Sequence, residues 1–311
     1  MQLGTLALAT CNLLLILPAA CVERANHWEY DGSLGGGHWR EEFEHCGKKA
    51  QSPINIRSQD AHFDPTLKPV RLKGFTTRPT PTYTLRNNGH TVQMSLPSTL
   101  AITSLPRQFT ASQLHLHWGS AQWPRGSEHL IDGQRSSAEL HVVLYNSDKY
   151  RNVSEAMRRP NGLAVLAILL EVGKFKNPAY ENILSHLESI KFAGQEVEIP
   201  SFAVRGLLPK RLDQYFTYRG SLTTPPCYQS VQWIIFHQRV LLSLSQLKTL
   251  RTGLFRTHAG TLPRLPLVNN RREVQPLRNR KVKASFVVGW AISFRRAVKK
   301  LLKMLSVNMR H

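Results

Sequence analysis

The sequence predicts an α+β chain, mostly β with flanking helices, built around one large central, mainly antiparallel twisted sheet in a single domain. Three observations lead there. Short runs rich in β-branched, aromatic and aliphatic residues recur along the body and are closed by turn formers, the punctuation of antiparallel strands. Two later stretches space their apolar residues as helices do. With 311 residues, 41% hydrophobic and 20% charged, the chain fills one large core or two modest ones. Its 18 prolines and 19 glycines are scattered rather than pooled into a linker, and no internal repeat is present, so one domain with short appendages is the natural reading.

Taken in order, residues 1–20 read as a secretory signal. Positions 6–17 are largely apolar, and Pro18-Ala19-Ala20-Cys21 offers small residues for cleavage after Ala20 or Cys21. The rival reading is a buried N-terminal strand or helix; the apolar run is too short for a comfortable membrane span. The expected layout is thus a signal over 1–21, a main domain over 22–286 and a basic tail over 287–311. Residues 23–51 carry no sustained period and read as an ordered loop packed by Trp28, Tyr30 and Trp39. The body opens at 51–56, and strand-like runs follow at 70–72, 83–85, 91–96 and 100–102. Asn87-Asn88-Gly89-His90 is a turn that lands a histidine at its edge. Asn152-Val153-Ser154 is an acceptor sequence for an N-linked glycan in a polar stretch. The apolar run 161–172 has a length that suits either a buried helix or a central strand. Residues 177–191, with Ile183, Leu184, Leu187 and Ile190 at helical spacing, read as a surface helix. A loop at 220–226, a strand at 231–236 and a second helix over 242–255 complete the body.

Charge is lopsided. Lys+Arg 41 against Asp+Glu 20 gives +21, and residues 261–311 hold thirteen of those cations and one acid, Glu273. In the tail, Trp290, Phe294, Ala297, Val298, Leu301, Leu305 and Met309 recur at helical spacing. Arg295, Arg296, Lys299, Lys300, Lys303 and Arg310 lie among them. This is a basic amphipathic helix. The readings for it are an apolar face docked on the domain or on a second copy of the chain, giving a homodimer, one docked on an anionic membrane surface or other polyanion, or a frayed tail. Nucleic acid is the least fitting partner for an exported chain. The helix is no transmembrane anchor, because Arg295-Arg296 ends the apolar run, and its charged end excludes a lipid-anchor signal. Cysteine usage agrees with export: Cys11 lies in the signal, Cys21 at its edge, and Cys46 and Cys227 remain in the body.

The chemistry concentrates in residues 113–145. Both ends read as strands, so Gln113, His115 and His117 share one face, as do Glu139, His141 and Val143. If the strands pair, three imidazoles converge on one point. Three neutral imidazoles leaving one open position is the pattern of a catalytic zinc site rather than a closed structural one. An H-x-H in a strand is also what an ordinary pair of core histidines looks like. Against that stand Gln113 and Glu139, each two residues before a histidine on the same face, where groups that orient imidazoles belong. No cysteine lies nearby, and Glu128 sits in an aperiodic stretch as though placed for hydrogen bonding.

This stretch, with Ser127-Glu128-His129 and Ala138-Glu139-Leu140-His141 in order, resembles the zinc signature of the α-class carbonic anhydrases. Other matching pieces are His27-Trp28-Glu29-Tyr30, Gln51-Ser52-Pro53-Ile54-Asn55-Ile56, Asn87-Asn88-Gly89-His90, Gly220-Ser221-Leu222-Thr223-Thr224-Pro225-Pro226 and Gln275-Pro276-Leu277. The resemblance spans roughly residues 28–286 and is closest to the family's secreted, salivary-type branch, which implies an extracellular protein.

What the resemblance implies is specific. Zn²⁺ held by His115, His117 and His141 would present a zinc-bound hydroxide that hydrates carbon dioxide reversibly to bicarbonate and a proton, with weak esterase side activity and sulfonamide-type inhibition. The bound-water pKa of about 7 is the family's own known value. Gln113 would orient His115, Glu139 would orient His141, and the carbonyl of Asn270 would hold His117. Thr223 would accept the hydroxide proton and donate its own to Glu128, and Thr224 would line the anion side. Val143, Val165, Leu222, Val231 and Trp233 would form an apolar wall for carbon dioxide, which makes 161–172 a central strand. His90 would relay protons through waters held by Tyr30, Asn88 and Gln93, where Gln93 departs from a frequent Asn. Cys46 and Cys227 match positions that pair in extracellular members. The alternative within the same family is a non-catalytic binding module that has lost its zinc ligands; here all three histidines, Thr223 and Glu128 are intact.

Overall fold

The computed structural model describes residues 28–32 and 35–288. The expected signal with Cys21, and the tail helix from residue 289 on, lie outside the described residues.

The apolar run at 161–172 becomes a strand, β6 (Leu163–Gly173), and the reason is readable in how it is covered. Its even residues Ala164, Leu166, Ile168 and Leu170 enter one hydrophobic cluster, while Leu163, Val165, Ala167 and Leu169 enter another on the opposite face. A strand buried on both faces has no reason to alternate polar and apolar, and this one does not.

Around β6 runs a mixed, twisted sheet. Its main path is formed, in chain order, by β1 (His62–Phe63), β2 (Thr82–Asn87), β3 (Val92–Ser95), β4 (Phe109–Trp118), β5 (Ala138–Asn146), β6, β7 (Glu196–Pro200), β8 (Tyr215–Gly220), β9 (Val231–Phe236) and β10 (Lys283–Ala284). In space they lie in the order β7-β2-β3-β4-β5-β6-β9-β8-β10-β1. Only β6–β9 and β10–β1 are parallel along this path, so the mainly antiparallel expectation holds. Val240–Ser243 adds a second parallel partner to β6. A small separate sheet pairs Asn55–Ile56, Leu130–Ile131 and Gln134–Arg135.

Beyond β6 the two faces diverge. Leu114, Leu116 and Trp118 of β4, with Leu140, Val142 and Leu144 of β5, fill the larger cluster. Their intervening residues, Gln113, His115 and His117 with Glu139, His141 and Val143, therefore face the other way. Gly119 and Gly126 let the loop after β4 close against its end. A Cβ on Gly119 would stand 2.1 Å from the Trp123 carbonyl oxygen, and one on Gly126 would stand 2.0 Å from the Gly119 nitrogen.

Both expected helices are corrected in length. The segment at 177–191 is not one surface helix: α3 (Pro178–Leu184) is followed by a 3₁₀ turn at Leu187–Ile190. Ser185 bonds its hydroxyl back to the Glu181 carbonyl at 2.7 Å, and His186, at φ −102°, leaves helical geometry. Tyr180, Ile183, Leu184, Leu187 and Ile190 are all buried, so the piece packs on the core. The later helix is α4 (Leu244–Thr252), shorter at both ends than 242–255. Leu242 belongs to a strand, and Ser243 starts the helix through a reciprocal capping box with Gln246. The loop at 23–51 also contains two short turns of helix, α1 (Trp39–Glu42) and a 3₁₀ turn at Glu44–Gly47.

Candidate metal centre

Register brings the histidines together. In the β4–β5 pairing His115 lies opposite His141 and His117 opposite Glu139. His117 Nε2 stands 3.1 Å from His141 Nδ1, which is 3.3 Å from His115 Nε2. The outer nitrogen of each ring faces an acceptor. His115 Nδ1 meets Gln113 Oε1 at 2.9 Å, His117 Nδ1 the Asn270 carbonyl at 2.7 Å, and His141 Nε2 Glu139 Oε1 at 2.7 Å. All three contacts expected from the sequence are present.

These partners determine the tautomers. An outer nitrogen that donates carries the ring's proton, so the three inner nitrogens hold lone pairs aimed at one another. Without a cation between them that arrangement is repulsive. A tetrahedral zinc with bonds of about 2.0–2.1 Å wants nitrogens about 3.3 Å apart, close to the observed spacing. Burial, reinforced by the neighbouring imidazoles, holds His115 well below the usual histidine range. Burial likewise lowers His117, with Glu128 pulling the other way. Neutral imidazole donors suit zinc. A second nearby group, His129, Glu139 and His141, could also surround an ion, but its atoms are spent on hydrogen bonds.

The carboxylate behind His141 is itself held. Glu139 Oε2 accepts the backbone N–H groups of Glu128 and His129, and Oε1 meets the His129 ring at 2.7 Å. Burial opposes its ionisation, yet the charges and hydrogen bonds of His129 and His141 prevail and hold it well below the usual carboxylate range. His129 Nε2 lies 2.8 Å from the Tyr218 hydroxyl, which donates to Ser52 Oγ, also at 2.8 Å. His129, Tyr218 and Ser52 were given no role from the sequence; the available signals were the matching stretches 127–129 and 51–56 and, for Tyr218, a strand position. Arg272 was missed as well. It is buried, its backbone N–H donates to Glu128 Oε1, and its guanidinium bonds Gln51 Oε1 and the carbonyls of Ser52 and Cys46. Burial pulls it down to about 10, against the attraction of Glu128.

One expected contact is not made among the described residues: no hydrogen bond joins Thr223 to Glu128, whose buried Oε2 has no hydrogen-bond partner there and lies 3.5 Å from His117 Nε2. An orphaned buried carboxylate oxygen beside a metal ligand is an open acceptor, so the residues fit a group that completes this site only when bound.

The apolar residues line up in one row across the sheet, Val143 opposite Val165 and Val165 opposite Trp233. They share a cluster with Val231, and Leu222 packs against it. Thr223 is buried and Thr224 half-buried in the loop after β8, where the Thr224 carbonyl accepts from Cys227. On the other side of the histidines, Gln93 lies opposite His115, and Arg86 donates to its Oε1 at 2.8 Å. Asn88 braces the turn by accepting the N–H groups of His90 and Thr91. The His90 ring stacks on Trp28 with centroids 3.9 Å apart, and Tyr30 stands edge-on at 6.5 Å. Burial, then Glu128, raises the Tyr30 phenol well above its ordinary value. Cys46 and Cys227 form a disulfide. The exposed Asn152 caps α2 (Val153–Ala156) with Oδ1, leaving Nδ2, the atom a glycan would take, out of that bond.

Three inward lone pairs on one sheet face, each ring held from behind and a carboxylate oxygen left open beside them, define a mononuclear zinc enzyme. Comparison with known proteins gives the family. The family of eukaryotic-type carbonic anhydrases matches residues 34–286. Human carbonic anhydrase 12 (Homo sapiens) is 44% identical over 259 residues, covering 83% of this chain and 73% of that one. Carbonic anhydrase 6 from Bos taurus is 40% identical over 278 residues, covering 88% and 85%. The Homo sapiens form of carbonic anhydrase 6 is 39% identical over 278 residues, covering 88% of each. The chain belongs to the eukaryotic-type carbonic anhydrases, zinc enzymes of carbon dioxide hydration. Relatives numbered 6 stand among its matches, as the salivary-type resemblance expects, alongside a number 12.

Proposed function

We propose that this chain reversibly hydrates carbon dioxide to bicarbonate and a proton in an extracellular setting. The observation that carries the reading is the convergence of three lone-pair nitrogens at 3.1 and 3.3 Å, with acceptors fixing each ring from behind. His115, His117 and His141 would hold the zinc. Bound there, zinc supplies a Lewis acid that makes its water a nucleophile near neutral pH. Thr223 would orient that nucleophile by accepting its hydrogen bond and donate its own hydroxyl to Glu128 Oε2, an acceptor without a partner among the described residues. Val143, Val165, Leu222, Val231 and Trp233 would receive carbon dioxide, which offers little to hydrogen-bond, while Thr224 would face the bicarbonate. His90 would carry protons to solvent, with Tyr30, Asn88 and Gln93 ordering the intervening waters.

The extracellular setting is supported by the disulfide and by the signal-like residues 1–21. Residues 22–286 would be the catalytic domain, Asn152 a glycan acceptor, and the basic tail a contact for anionic membrane surfaces. Zinc content and carbon dioxide hydration, measured on secreted protein and on His117→Ala, test the reading. One zinc per chain with fast hydration, both lost in the variant, is the expected result. Bound zinc with no hydration would point instead to a non-catalytic binding module, and folded protein with neither would sink the proposal.

A further inference from the structure

On the face of the sheet turned away from the histidines lies a second cavity of about 700 Å³. Among the described residues six cations line it, Arg107, Lys149, Arg219, Arg280, Lys281 and Lys283, and no acidic residue does. Register explains most of the lining: Phe216 of β8 joins the cluster beside the metal centre, so Tyr215, Thr217 and Arg219 point the opposite way, with Gln232 paired to Arg219 across β9, while Tyr218 of that cluster also reaches the cleft under Arg280. Among the described residues only Lys283 of the six has an ion-pair partner, Asp64 at 2.9 Å. Arg280 is held in place by the carbonyls of Arg219, Pro276 and Leu277, which orient its guanidinium without neutralising it.

Five cations without ion-pair partners among the described residues, four of them exposed, make this cleft strongly positive and attractive to an anion. A second, independent observation points into the same cleft. Asn146 lines it, is 3% exposed, and its Oδ1 has no hydrogen-bond partner among the described residues. A buried amide oxygen normally finds a donor, so this one, closed off from solvent here, stays unsatisfied until a donor reaches it from the cleft. The two features ask for different groups on one molecule: anionic substituents for the cations and a hydroxyl or amide donor for Asn146. Neither phosphate alone nor a lipid chain supplies both. The volume is that of a pocket for a few sugar rings rather than for a protein segment.

We propose that this cleft binds a sulfated oligosaccharide, its sulfates on Arg107, Lys149, Arg219 and Lys281 and a sugar hydroxyl or amide on Asn146. This is a site separate from the catalytic one, and its occupancy would anchor the enzyme in a sulfated extracellular matrix while the histidine face stays open.

Calorimetric titration of the full-length secreted protein with a heparin hexasaccharide in 0.15 M salt tests this. Two variants lose the same three charges, one in the cleft (Arg107→Gln, Lys149→Gln, Lys281→Gln) and one in the tail (Lys299→Gln, Lys300→Gln, Lys303→Gln). The wild type is expected to bind one hexasaccharide, the cleft variant to weaken about tenfold or more, and the tail variant less than about threefold, since the proposed sulfate contacts are all cleft residues. Asn146→Asp, nearly isosteric and repulsive to sulfate, is expected to weaken binding at unchanged carbon dioxide hydration, which also reports that each variant is folded. Equal losses in the two triple variants would overturn the assignment in favour of diffuse attraction to a +21 chain. Absence of binding, equal binding of the desulfated hexasaccharide, or tighter binding of inositol hexakisphosphate would overturn it too.

Discussion

At the scale of single residues, the site depends on groups that never touch the substrate. Glu139 gathers two backbone N–H groups and two imidazoles on one buried carboxylate, so its charge fixes His141 and closes the turn at 128–129 together. Glu139→Gln keeps the shape but turns one oxygen into a donor that faces imidazole N–H groups. Zinc affinity is expected to fall roughly 10- to 100-fold, measured by competition with a chelator; an unchanged affinity would show that packing alone orients His141. Thr223→Ala makes the complementary case. Zinc should stay bound while hydration drops about 10²- to 10³-fold, because the proposed hydrogen-bond partner of the nucleophile would be lost but no ligand. Many of these residues were legible beforehand, since period-two spacing in a strand puts Gln113, His115 and His117 on one side without knowledge of the fold. Arg272 and the role of His129 were not: nothing local distinguishes a buried arginine, or a fourth histidine beside the three ligands, from surface ones until distant segments close over them.

At the scale of elements, the pattern of covering decides what each run becomes. An apolar stretch such as 161–172 is equally good as helix or strand by composition, and only two clusters on opposite faces make it β6. The helix expected at 177–191 broke for the converse reason: four apolar residues had to reach the core, and a tighter turn at Leu187–Ile190 delivers the last two. Edges need their own ties. The β1–β10 pair is only two residues long, and Asp64 just beyond it bonds Lys283 and Thr66. The Thr66 hydroxyl first, then Lys283, lower the Asp64 carboxyl from 3.8 to about 2. A carboxyl depressed on folding adds stability above its unfolded pKa and loses it as pH falls through the folded value. The wild type should therefore exceed Asp64→Asn in stability at pH 5, with the gap closing between about pH 4 and pH 2. Denaturant unfolding at a series of pH values reads this, and a gap independent of pH would assign the effect to packing.

At the scale of the whole molecule, long-range ties hold the site's loops to its sheet. The Cys46–Cys227 disulfide joins positions 181 residues apart and packs with Trp39 near the loop that carries Thr223. Replacing both cysteines with serine is expected to cost about 2–5 kcal/mol in denaturant unfolding, chiefly by freeing the unfolded chain. A loss below about 1 kcal/mol would mean that the aromatic cluster and Arg272 already hold the segment. Among the described residues no helix is long and apolar enough to cross a membrane. By itself the sequence determined the local quantities: which residues alternate in strands, where turns fall, which three imidazoles could share a face, and a charge of +21. Those follow from backbone periodicity and composition, which act over a few residues. Tertiary structure alone decided the rest. It set the register of His141 against His115, the Asn270 carbonyl behind His117, the open oxygen of Glu128, and the gathering of cations from 107 to 283 into one cleft. Each joins residues far apart in the chain, and only the closing of a shared core selects such contacts from the many that sequence allows.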